Sequence, residues 1–379
     1  MMNREALQKE ALAKLEEYVN QPSCTWDKTD ADAMGLLVAR DFEALGMQVT
    51  RHEDVRFGAT VEATAGDGPN RIILNGHMDT VFPHREWWPF RVEGSTAYGP
   101  GVMDMKGGVV VLYYAVREVL RRGLPTGAQL TVLINPDEEI GSDSSHALLE
   151  SRAKDAFAAL FFEPMSPRLE MTRQRKGVLA FEVKCTGQRG HAGSTYLTHA
   201  SAIQQLCRVV ETLYDLRDDN RDVSINIGVI AGGTAENIIA GEASARGEVR
   251  FYDPHIRDEM EEKLLEIGAR PGIPGTTTLV TIGETGPAFK ADEKCARLFE
   301  MAHGIAAAQG REIKAVSCAG AGDIGFVGLT GIAALDGLGI VGTGAHTRDE
   351  QADIASLVPN IELAAELIMQ LLEHPDAVK

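Results

Sequence analysis

The sequence predicts an α/β protein: a mixed, mostly parallel sheet flanked by helices, with an inserted βαββαβ domain of the ferredoxin-like type. Continuous apolar runs bounded by turn residues recur before residue 164, as is typical of strands buried inside a parallel sheet. From Gly177 onward, strand and helix patterns follow in the order βαββαβ, a unit that can fold by itself. At 379 residues the chain is too long for one compact core, so we expect two domains.

The N-terminal segment is predicted to form a helix and not to be a targeting signal. Apolar residues recur at helical spacing among charged ones in this segment, namely Leu7, Leu12, Leu15 and Val19. The stripe lacks the apolar central region of a signal peptide. We also expect no stretch of the sequence to span a membrane.

Three apolar runs, at residues 71–75, 130–134 and 159–162, each precede side chains that can bind metals or move protons. These side chains are His77 and Asp79 after the first run, Glu138 and Glu139 after the second, and Glu163 after the third. In open α/β sheets, ligands bind beyond the carboxyl ends of the strands. We therefore expect these residues to meet at one edge of the sheet.

Two Gly-rich loops supply further candidates. Asp104 lies in the loop at residues 98–108, which opens a helical run at 109–120, and His346 lies in the loop at residues 342–346. Imidazole nitrogens and carboxylate oxygens suit zinc where thiolates are absent, and a bridging carboxylate can hold two cations about 3.5 to 4 Å apart. Of two adjacent glutamates, one can bind metal while the other takes a proton from the attacking water and passes it to the leaving group.

Five motifs in this order resemble those of the co-catalytic zinc exopeptidases and deacylases, a family that includes glutamate carboxypeptidase, acetylornithine deacetylase, succinyl-diaminopimelate desuccinylase and aminoacylase. The motifs are GHMDTV at residues 76–81, YGPG and DMKGG within 98–108, DEEIGS at 137–142, FEP at 162–164 and GHAG at 190–193. The resemblance covers nearly the whole chain and is nearest to glutamate carboxypeptidase. It implies a zinc exopeptidase-like fold for the predicted sheet.

The resemblance also implies two Zn²⁺ ions per chain, with Co²⁺ or Mn²⁺ as alternatives. The implied ligands are Asp104 as the bridge, His77 and Glu163 for one ion, and Glu139 and His346 for the other. Glu138 is implied as the general base, and Asp79 as the carboxylate that fixes the ring and tautomer of His77. Three other histidines compete with His346 as ligands, namely His84, His146 and His303.

Residues 177–286 are predicted to form the inserted domain. Its strands are expected at 178–185, 223–230, 243–252 and 277–282, and its helices at 199–216 and 254–267. Because His346 is needed beside ligands that precede residue 164, the chain must then return to the first domain, where helices are expected at 291–308 and 359–372. The prediction is a discontinuous metal-binding catalytic domain of residues 1–176 and 287–379, interrupted by a lid and dimerisation domain.

Three residues of the predicted lid match family positions that act on the substrate. By resemblance, His191 reaches the active site of the partner subunit and stabilises the oxyanion. Asn237 and Arg250 match the positions that hold the substrate's terminal carboxylate, a task that suits the planar fork of Arg. This sharing between subunits implies a homodimer formed through the lid domain.

Composition and charge exclude other classes of function. The net charge of −18, without a basic stripe that carries interleaved aromatic residues, argues against nucleic-acid binding. The five cysteines show no CxxC spacing and are expected to be free thiols, which predicts a reducing, cytoplasmic location. Two GxGxxG matches, at residues 320–325 and 337–342, do not open a long helix within a βαβ unit, so they do not predict a nucleotide site.

The predicted substrate is a small peptide or N-acyl amino acid with a free carboxylate, cleaved at its amide bond as by glutamate carboxypeptidase. An N-acyl amino acid deacylase of the acetylornithine deacetylase or desuccinylase type stays open as an alternative. So do a two-metal phosphoesterase and a catalytically silent family member that acts as a binding module. At residues 320–325 the chain departs from the Gly-rich stretch through Thr to Asp of glutamate carboxypeptidase, so the carboxylate pocket can differ.

Overall fold

The computed structural model describes residues 3–379, and the chain forms two compact units. The first contains the chain up to Arg173 together with Ala291–Ser317 and Gly322–Lys379, and the second contains Gln174–Lys290 and Cys318–Ala321. Met1 and Met2, with which the predicted first domain begins, lie outside the described residues. The units change at Arg173 and Ala291, whereas the sequence placed the domain boundaries at residues 176 and 286.

The secondary structure follows the predicted order, and the ends of the elements differ from the predicted ones by at most a few residues. The helices are α1 (Arg4–Asn20), α2 (Lys28–Ala44), α3 (Lys106–Arg122), α4 (His146–Ala153), α5 (Ala202–Tyr214), α6 (Ile256–Ala269), α7 (Glu293–Ala308), α8 (Ile324–Gly328) and α9 (Leu357–Glu373). The strands are β1 (Gln48–His52), β2 (Thr60–Gly66), β3 (Asn70–His77), β4 (Arg91–Glu93), β5 (Thr96–Tyr98), β6 (Ala128–Asn135), β7 (Ala158–Phe161), β8 (Glu170–Arg175), β9 (Gly177–Thr186), β10 (Gly190–His191), β11 (Ser224–Gly232), β12 (Ile238–Ile239), β13 (Glu242–Phe251), β14 (Thr277–Gly286), β15 (Phe289–Lys290), β16 (Lys314–Cys318), β17 (Ala333–Leu335), β18 (Gly342–Thr343) and β19 (Gln351–Asp353). Helix α5 begins later than predicted because the Ser201 side chain caps its first turn by accepting a hydrogen bond from the Gln204 N–H.

The first unit is built on a six-stranded sheet with the strand order β1-β2-β6-β3-β7-β17. Strands β6, β3, β7 and β17 are parallel to one another, and β2 is antiparallel to β6. Successive residues of a strand point to opposite faces, yet Ile72, Ile73 and Leu74 of β3 are all buried. Both faces of this strand are therefore covered, as the continuous apolar run predicted.

Helices α3 and α9 pack on each other and on β3, and both carry broad apolar faces into the main core. Among the described residues, one helical segment, Ile354–Glu373, is long and apolar enough to cross a membrane by length and composition, with a mean hydropathy of 1.3. The sequence did not predict this segment as a candidate. Of the most apolar 18-residue stretch of this segment, 72% is buried inside the fold, which is typical of a core helix.

The second unit contains an antiparallel sheet with the strand order β11-β13-β9-β14. Helices α5 and α6 contact each other and this sheet, and together they enclose a separate hydrophobic core. The chain order is βαββαβ apart from the short strands β10 and β12, so the unit has the predicted ferredoxin-like topology.

Candidate metal centre

The parallel strands of the first unit bring three groups of polar residues to one edge of the sheet. Strand β3 ends at His77, and the neighbouring strands β6 and β7 end at Asn135 and Phe161. Glu138 and Glu139 follow β6 in a short 3₁₀ turn, and Glu163 follows β7. Since these strands run in the same direction, their following residues converge at the carboxyl edge of the sheet.

His77 is buried and its ring is held in one orientation. Its Nδ1 lies 3.2 Å from Asp79 Oδ1, an acceptor that holds a proton on Nδ1 and directs Nε2 toward Asp104. Asp79 is itself fully buried and accepts hydrogen bonds from Thr25 Oγ1 at 2.7 Å and from the N–H groups of Glu138 and Glu139 at 3.2 Å each. Asp79 therefore links the His77 ring to the turn that carries the two glutamates.

Asp104 stands between the two histidines that were predicted as ligands. Its Oδ1 lies 3.4 Å from His77 Nε2, and its Oδ2 lies 3.4 Å from His346 Nε2. His346 Nε2 also lies 2.9 Å from Glu139 Oε2, and the backbone φ of His346 is +63°. This left-handed conformation is rare for a residue other than glycine and occurs often at functional sites.

Glu138 and Glu163 lie on the His77 side of the pocket. Glu163 Oε1 is 3.7 Å from His77 Nε2, and Glu138 Oε2 is 3.9 Å from the same atom. Burial raises the pKa of Glu138 well above its ordinary value. Burial likewise raises the pKa of Glu139, although His346 acts in the opposite direction.

The carboxylates of this pocket attract positive charge. Hydrogen bonds to Asp104 and Glu139 raise the pKa of His346 to about 10. Burial alone would lower the pKa of His77, but its contacts with Asp104 and Asp79 outweigh burial and raise that pKa well above its usual value. The same two histidines hold the pKa of Asp104 below its usual range, against the effect of its burial.

The residues present fit a pair of divalent cations. His77 Nε2 is buried and has no hydrogen-bond partner in the structure. One donor atom from each of His77, Glu138 and Glu163 lies within 4.8 Å of the others, and the same holds for His77, Asp104 and Glu139. Carboxylates gathered in a buried pocket are strongly destabilising unless cations compensate their charge.

A buried polar network that the sequence did not reveal supports the turn of Glu138 and Glu139. Asp323 accepts hydrogen bonds from Asn135 Nδ2 at 2.7 Å and from Ser142 Oγ, and it is 3% exposed. Asn135 Oδ1 accepts a hydrogen bond from Asn75 Nδ2 at 3.1 Å, so the network crosses from β6 to β3. Asp323 lies in one of the two GxGxxG matches. The sequence signal that could have found it is this Gly-rich stretch, residues 320–325, where the chain departs from the carboxypeptidase pattern.

The competing histidines have other partners. His84 Nδ1 lies 2.7 Å from Asp30 Oδ2, and its side chain is 64% exposed. His146 Nδ1 lies 2.8 Å from Ser142 O, while His303 stacks near Phe299. In the part of the chain that the structure describes, none of the three joins the metal-binding groups at the strand ends.

In the second unit, His191 and Asn237 are neighbours. Strand β10 pairs with β12 so that His191 is opposite Ile238, and the Ala192 N–H donates to Asn237 O at 3.0 Å. His191 and Asn237 are both exposed, as residues that must contact a ligand or another chain have to be. One copy of this unit therefore brings His191 and Asn237 together, whereas the sequence pairs Asn237 with Arg250.

Arg250 lies near the opposite end of strand β13. This strand begins at Glu242, shortly after Asn237, and at about 3.4 Å per residue Arg250 lies roughly 27 Å from Glu242. The Arg250 guanidinium donates to Glu248 in bidentate fashion, at 2.8 and 3.1 Å, and to Ala319 O at 3.1 Å. Within one copy, Arg250 does not meet His191 and Asn237.

Histidine and carboxylate donors that face each other at the carboxyl edge of a parallel sheet define the class of protein, a metal-dependent hydrolase. The chain belongs to peptidase family M20/M25/M40, whose family model matches residues 73–370.

Relatives match this chain over nearly its full length. Carboxypeptidase G2 of Pseudomonas sp. strain RS-16 is 30% identical over 94% of this chain and 88% of its own length. The succinyl-diaminopimelate desuccinylase of Gluconacetobacter diazotrophicus is 26% identical over 96% of this chain and 97% of its own. The crystal structure of aminopeptidase PepT from Bacillus cereus has the same fold, with a TM-score of 0.80, 21% identity and coverage of 96% of this chain and 98% of its own.

Proposed function

We propose that this protein is a two-zinc exopeptidase of the glutamate carboxypeptidase type, which cleaves an amide bond beside a free carboxylate. The observation that carries the proposal is the position of Asp104, whose two oxygens face two different histidines at equal distances of 3.4 Å. A bridging carboxylate of this kind is what a pair of metal ions requires. Similarity to carboxypeptidase G2 supports the choice of substrate class.

The proposed ligand set follows the contacts of the pocket. Asp104 bridges, His77 and Glu163 complete one site, and Glu139 and His346 complete the other. Zinc is the metal proposed, because its preferred donors are imidazole and carboxylate where thiolates are absent, with Co²⁺ or Mn²⁺ as substitutes. When bound, the two ions would polarise the scissile carbonyl and lower the pKa of a water molecule toward about 7.

Glu138 is the proposed general base. It lies next to the ligand Glu139 in the chain but makes its closest histidine contact at 3.9 Å, longer than those of the proposed ligands. Its carboxylate would take the proton from the attacking water and give it to the leaving nitrogen. Asp79 keeps the Nδ1 proton of His77 in place, so that Nε2 stays available as a ligand.

The second unit is the proposed lid and dimerisation domain. His191 would stabilise the oxyanion of the tetrahedral intermediate, and Asn237 and Arg250 would hold the substrate's carboxylate. Since these residues lie toward opposite ends of strand β13, one copy cannot apply all three to one small substrate. This separation supports a homodimer in which His191 and Asn237 serve the partner's site.

A deacylase that removes an acetyl or succinyl group is the second candidate. The similarity to succinyl-diaminopimelate desuccinylase favours it, as does the departure from the carboxypeptidase pattern at residues 320–325. Both candidates use the same hydrolytic residues, so they differ only in the acyl group and the amino acid that are accepted. The free thiols Cys24, Cys185, Cys207, Cys295 and Cys318 support a reducing, cytoplasmic location for either activity.

The test measures the release of free amino acid from a panel of dipeptides and N-acyl amino acids, and of phosphate from one phosphoester, with zinc-loaded protein and a chelator-stripped control. Metal-dependent release of C-terminal glutamate or aspartate would establish the carboxypeptidase. Preference for acetyl or succinyl amides would establish the deacylase instead. No turnover of any amide, despite two bound metal ions, would contradict the proposal and favour a silent binding module.

A further inference from the structure

Glu350 is a buried carboxylate that the proposed chemistry does not use. Its side chain has no exposed surface, which is costly for a carboxylate unless it is fully hydrogen-bonded. Its Oε2 accepts a hydrogen bond from the Gly101 N–H at 2.9 Å. Its Oε1 accepts from the N–H groups of Met103 and Asp104, at 2.9 and 3.1 Å. One side chain therefore fixes three backbone groups of the loop that carries the proposed bridging ligand.

The backbone of Glu350 belongs to the turn that carries His346. The Thr347 N–H donates to Gly344 O at 3.1 Å, and the Glu350 N–H donates to Thr347 O at 3.3 Å. The His346 side chain is 54% exposed, so side-chain packing constrains it little. The position of its ring is therefore determined mainly by the turn in which it lies.

The two segments are also joined by a short antiparallel ladder, in which Gln351 of β19 pairs with Tyr98 of β5. This ladder ends several residues before Asp104. Beyond its end, the Glu350 side chain continues the connection as far as the N–H of Asp104 itself. Glu350 thus joins the two segments at the backbone of Asp104, one of the two proposed ligands.

We propose that Glu350 is a positioning residue that sets the separation of Asp104 and His346, and that the affinity of the pocket for metal depends on it. The proposal rests on the proposed two-metal function. Glu350 does not need to touch the ions, because it acts through the backbone of one ligand and the turn of the other. Residues that orient metal ligands in this way typically change metal affinity or activity about 10- to 100-fold when they are substituted.

The test compares Glu350→Gln with the unsubstituted protein and with Glu62→Gln. Glutamine keeps the size of the side chain, but its NH₂ group cannot accept a hydrogen bond from the loop. Glu62 is a matched control because it is a buried carboxylate of the same unit, 7% exposed, whose partners are Arg152 and His52 rather than the metal pocket. Metal-free protein is titrated with Zn²⁺ by calorimetry well below its melting temperature, and the visible spectrum of the Co²⁺-loaded protein is recorded.

We expect zinc affinity to fall about 10- to 100-fold in Glu350→Gln, with an altered Co²⁺ spectrum, and both to be unchanged in Glu62→Gln. Unchanged affinity and spectrum in folded Glu350→Gln would overturn the proposal. If that variant does not fold, the same readouts on Glu350→Asp decide, because the shorter side chain cannot reach all three N–H groups. Failure of the unsubstituted protein to bind zinc would overturn the proposed function itself, which separates the two failures.

Discussion

The proposed metal-binding pocket of the first unit and the proposed substrate residues of the second unit are built in opposite ways. In the first unit, residues from five separate segments contact one another at 2.9 to 3.9 Å, and apart from His346 their side chains are at most 16% exposed. In the second unit, His191 and Asn237 are exposed, and Arg250 lies toward the far end of a ten-residue strand. One chain brings all the proposed metal ligands together, whereas it does not bring Arg250 to His191 and Asn237.

In the proposed mechanism, this difference separates the hydrolytic chemistry of the first unit from the substrate recognition of the second. The ends of the parallel strands position His77, the Glu138–Glu139 turn and Glu163, and loops of the same unit position Asp104 and His346. The residues of the second unit need another surface to complete a site. Substitutions in the first unit should therefore act on metal binding and chemistry within one chain, and substitutions in the second should depend on the oligomer.

The largest effect is expected for Glu138→Gln. We expect kcat to fall about 10²- to 10⁴-fold with two zinc ions retained, because the proton acceptor is lost and the ligands are not. Amino acid release and metal content measured on the same sample provide the test. Asp143→Asn is the control, since Asp143 is a nearby exposed acid that pairs with Arg56. A rate close to that of the unsubstituted protein would refute Glu138 as the base.

Mixing two inactive variants tests whether the second unit acts across a dimer. His191→Ala should lower kcat about 10²- to 10³-fold through loss of an oxyanion donor. Subunit exchange between His191→Ala and Glu138→Gln should restore up to about a quarter of the activity, because half of the dimers then contain one intact shared site.

The double variant Glu138→Gln/His191→Ala is the control for this mixing experiment. Exchanged with either single variant, it cannot form an intact shared site, so we expect no recovery. Absence of recovery in the first mixture as well, with mixed dimers verified by mass, would place His191 and Glu138 in the same chain's site or leave His191 without a catalytic role.

A smaller effect is expected for Asp79→Asn. The amide can no longer hold the proton on Nδ1 of His77 as firmly, so zinc affinity should fall about 10- to 100-fold. Competition with a fluorescent zinc chelator measures this change. Asp54→Asn, which alters a loop carboxylate bonded to the N–H groups of Arg56 and Phe57, should bind zinc as the unsubstituted protein does. Equal zinc affinities for the unsubstituted protein and the two variants would contradict the proposed role of Asp79 in the metal centre.

The smallest effects concern stability and compare one carboxylate from each unit. Hydrogen bonds from Arg121 lower the pKa of Glu118 to about 2, and hydrogen bonds from Arg221 lower that of Glu259 to about 2. The Glu118 side chain is 5% exposed, whereas that of Glu259 is 34% exposed. Burial should make the loss of the Glu118 carboxylate cost more stability than the loss of the Glu259 carboxylate, whose exposed ion pair is screened by solvent.

Both contributions should be present at neutral pH and lost in acid. A carboxylate whose pKa is lowered on folding stabilises the fold above its unfolded pKa of about 4.3, and this stabilisation disappears as the pH falls toward 2. Urea unfolding of Glu118→Gln and Glu259→Gln at pH 7 and pH 3 measures the loss for each. A larger loss for Glu259→Gln at pH 7 would contradict the role assigned to burial.

Much of the candidate site was predictable because its signals are local. His77 and Asp79 directly follow a strand whose apolar run is continuous, and Glu163 directly follows another. Chain direction alone then brings such residues to the carboxyl edge of a parallel sheet. The predicted order of strands and helices was confirmed for the same reason, since side-chain periodicity reports local conformation.

Other features could not be predicted, because they join residues that are distant in the chain. Asp323 and Asn135 are 188 positions apart, and no local pattern marks either as a member of a buried network. The segment Ile354–Glu373 is similar, since its hydropathy suits a membrane as well as a core and only its burial distinguishes them. Such contacts depend on how the elements pack, which the sequence pattern of one element does not contain.

By itself, the sequence determined which side chains are available for chemistry and at which strand ends they lie, because donor types and hydrophobic periodicity are properties of short segments. Only the tertiary structure decided that Asp104 faces His77 with one oxygen and His346 with the other. It also decided that Glu350 reaches back 246 residues to the Asp104 N–H. The physical reason is that long-range packing fixes these separations, and local sequence does not encode them.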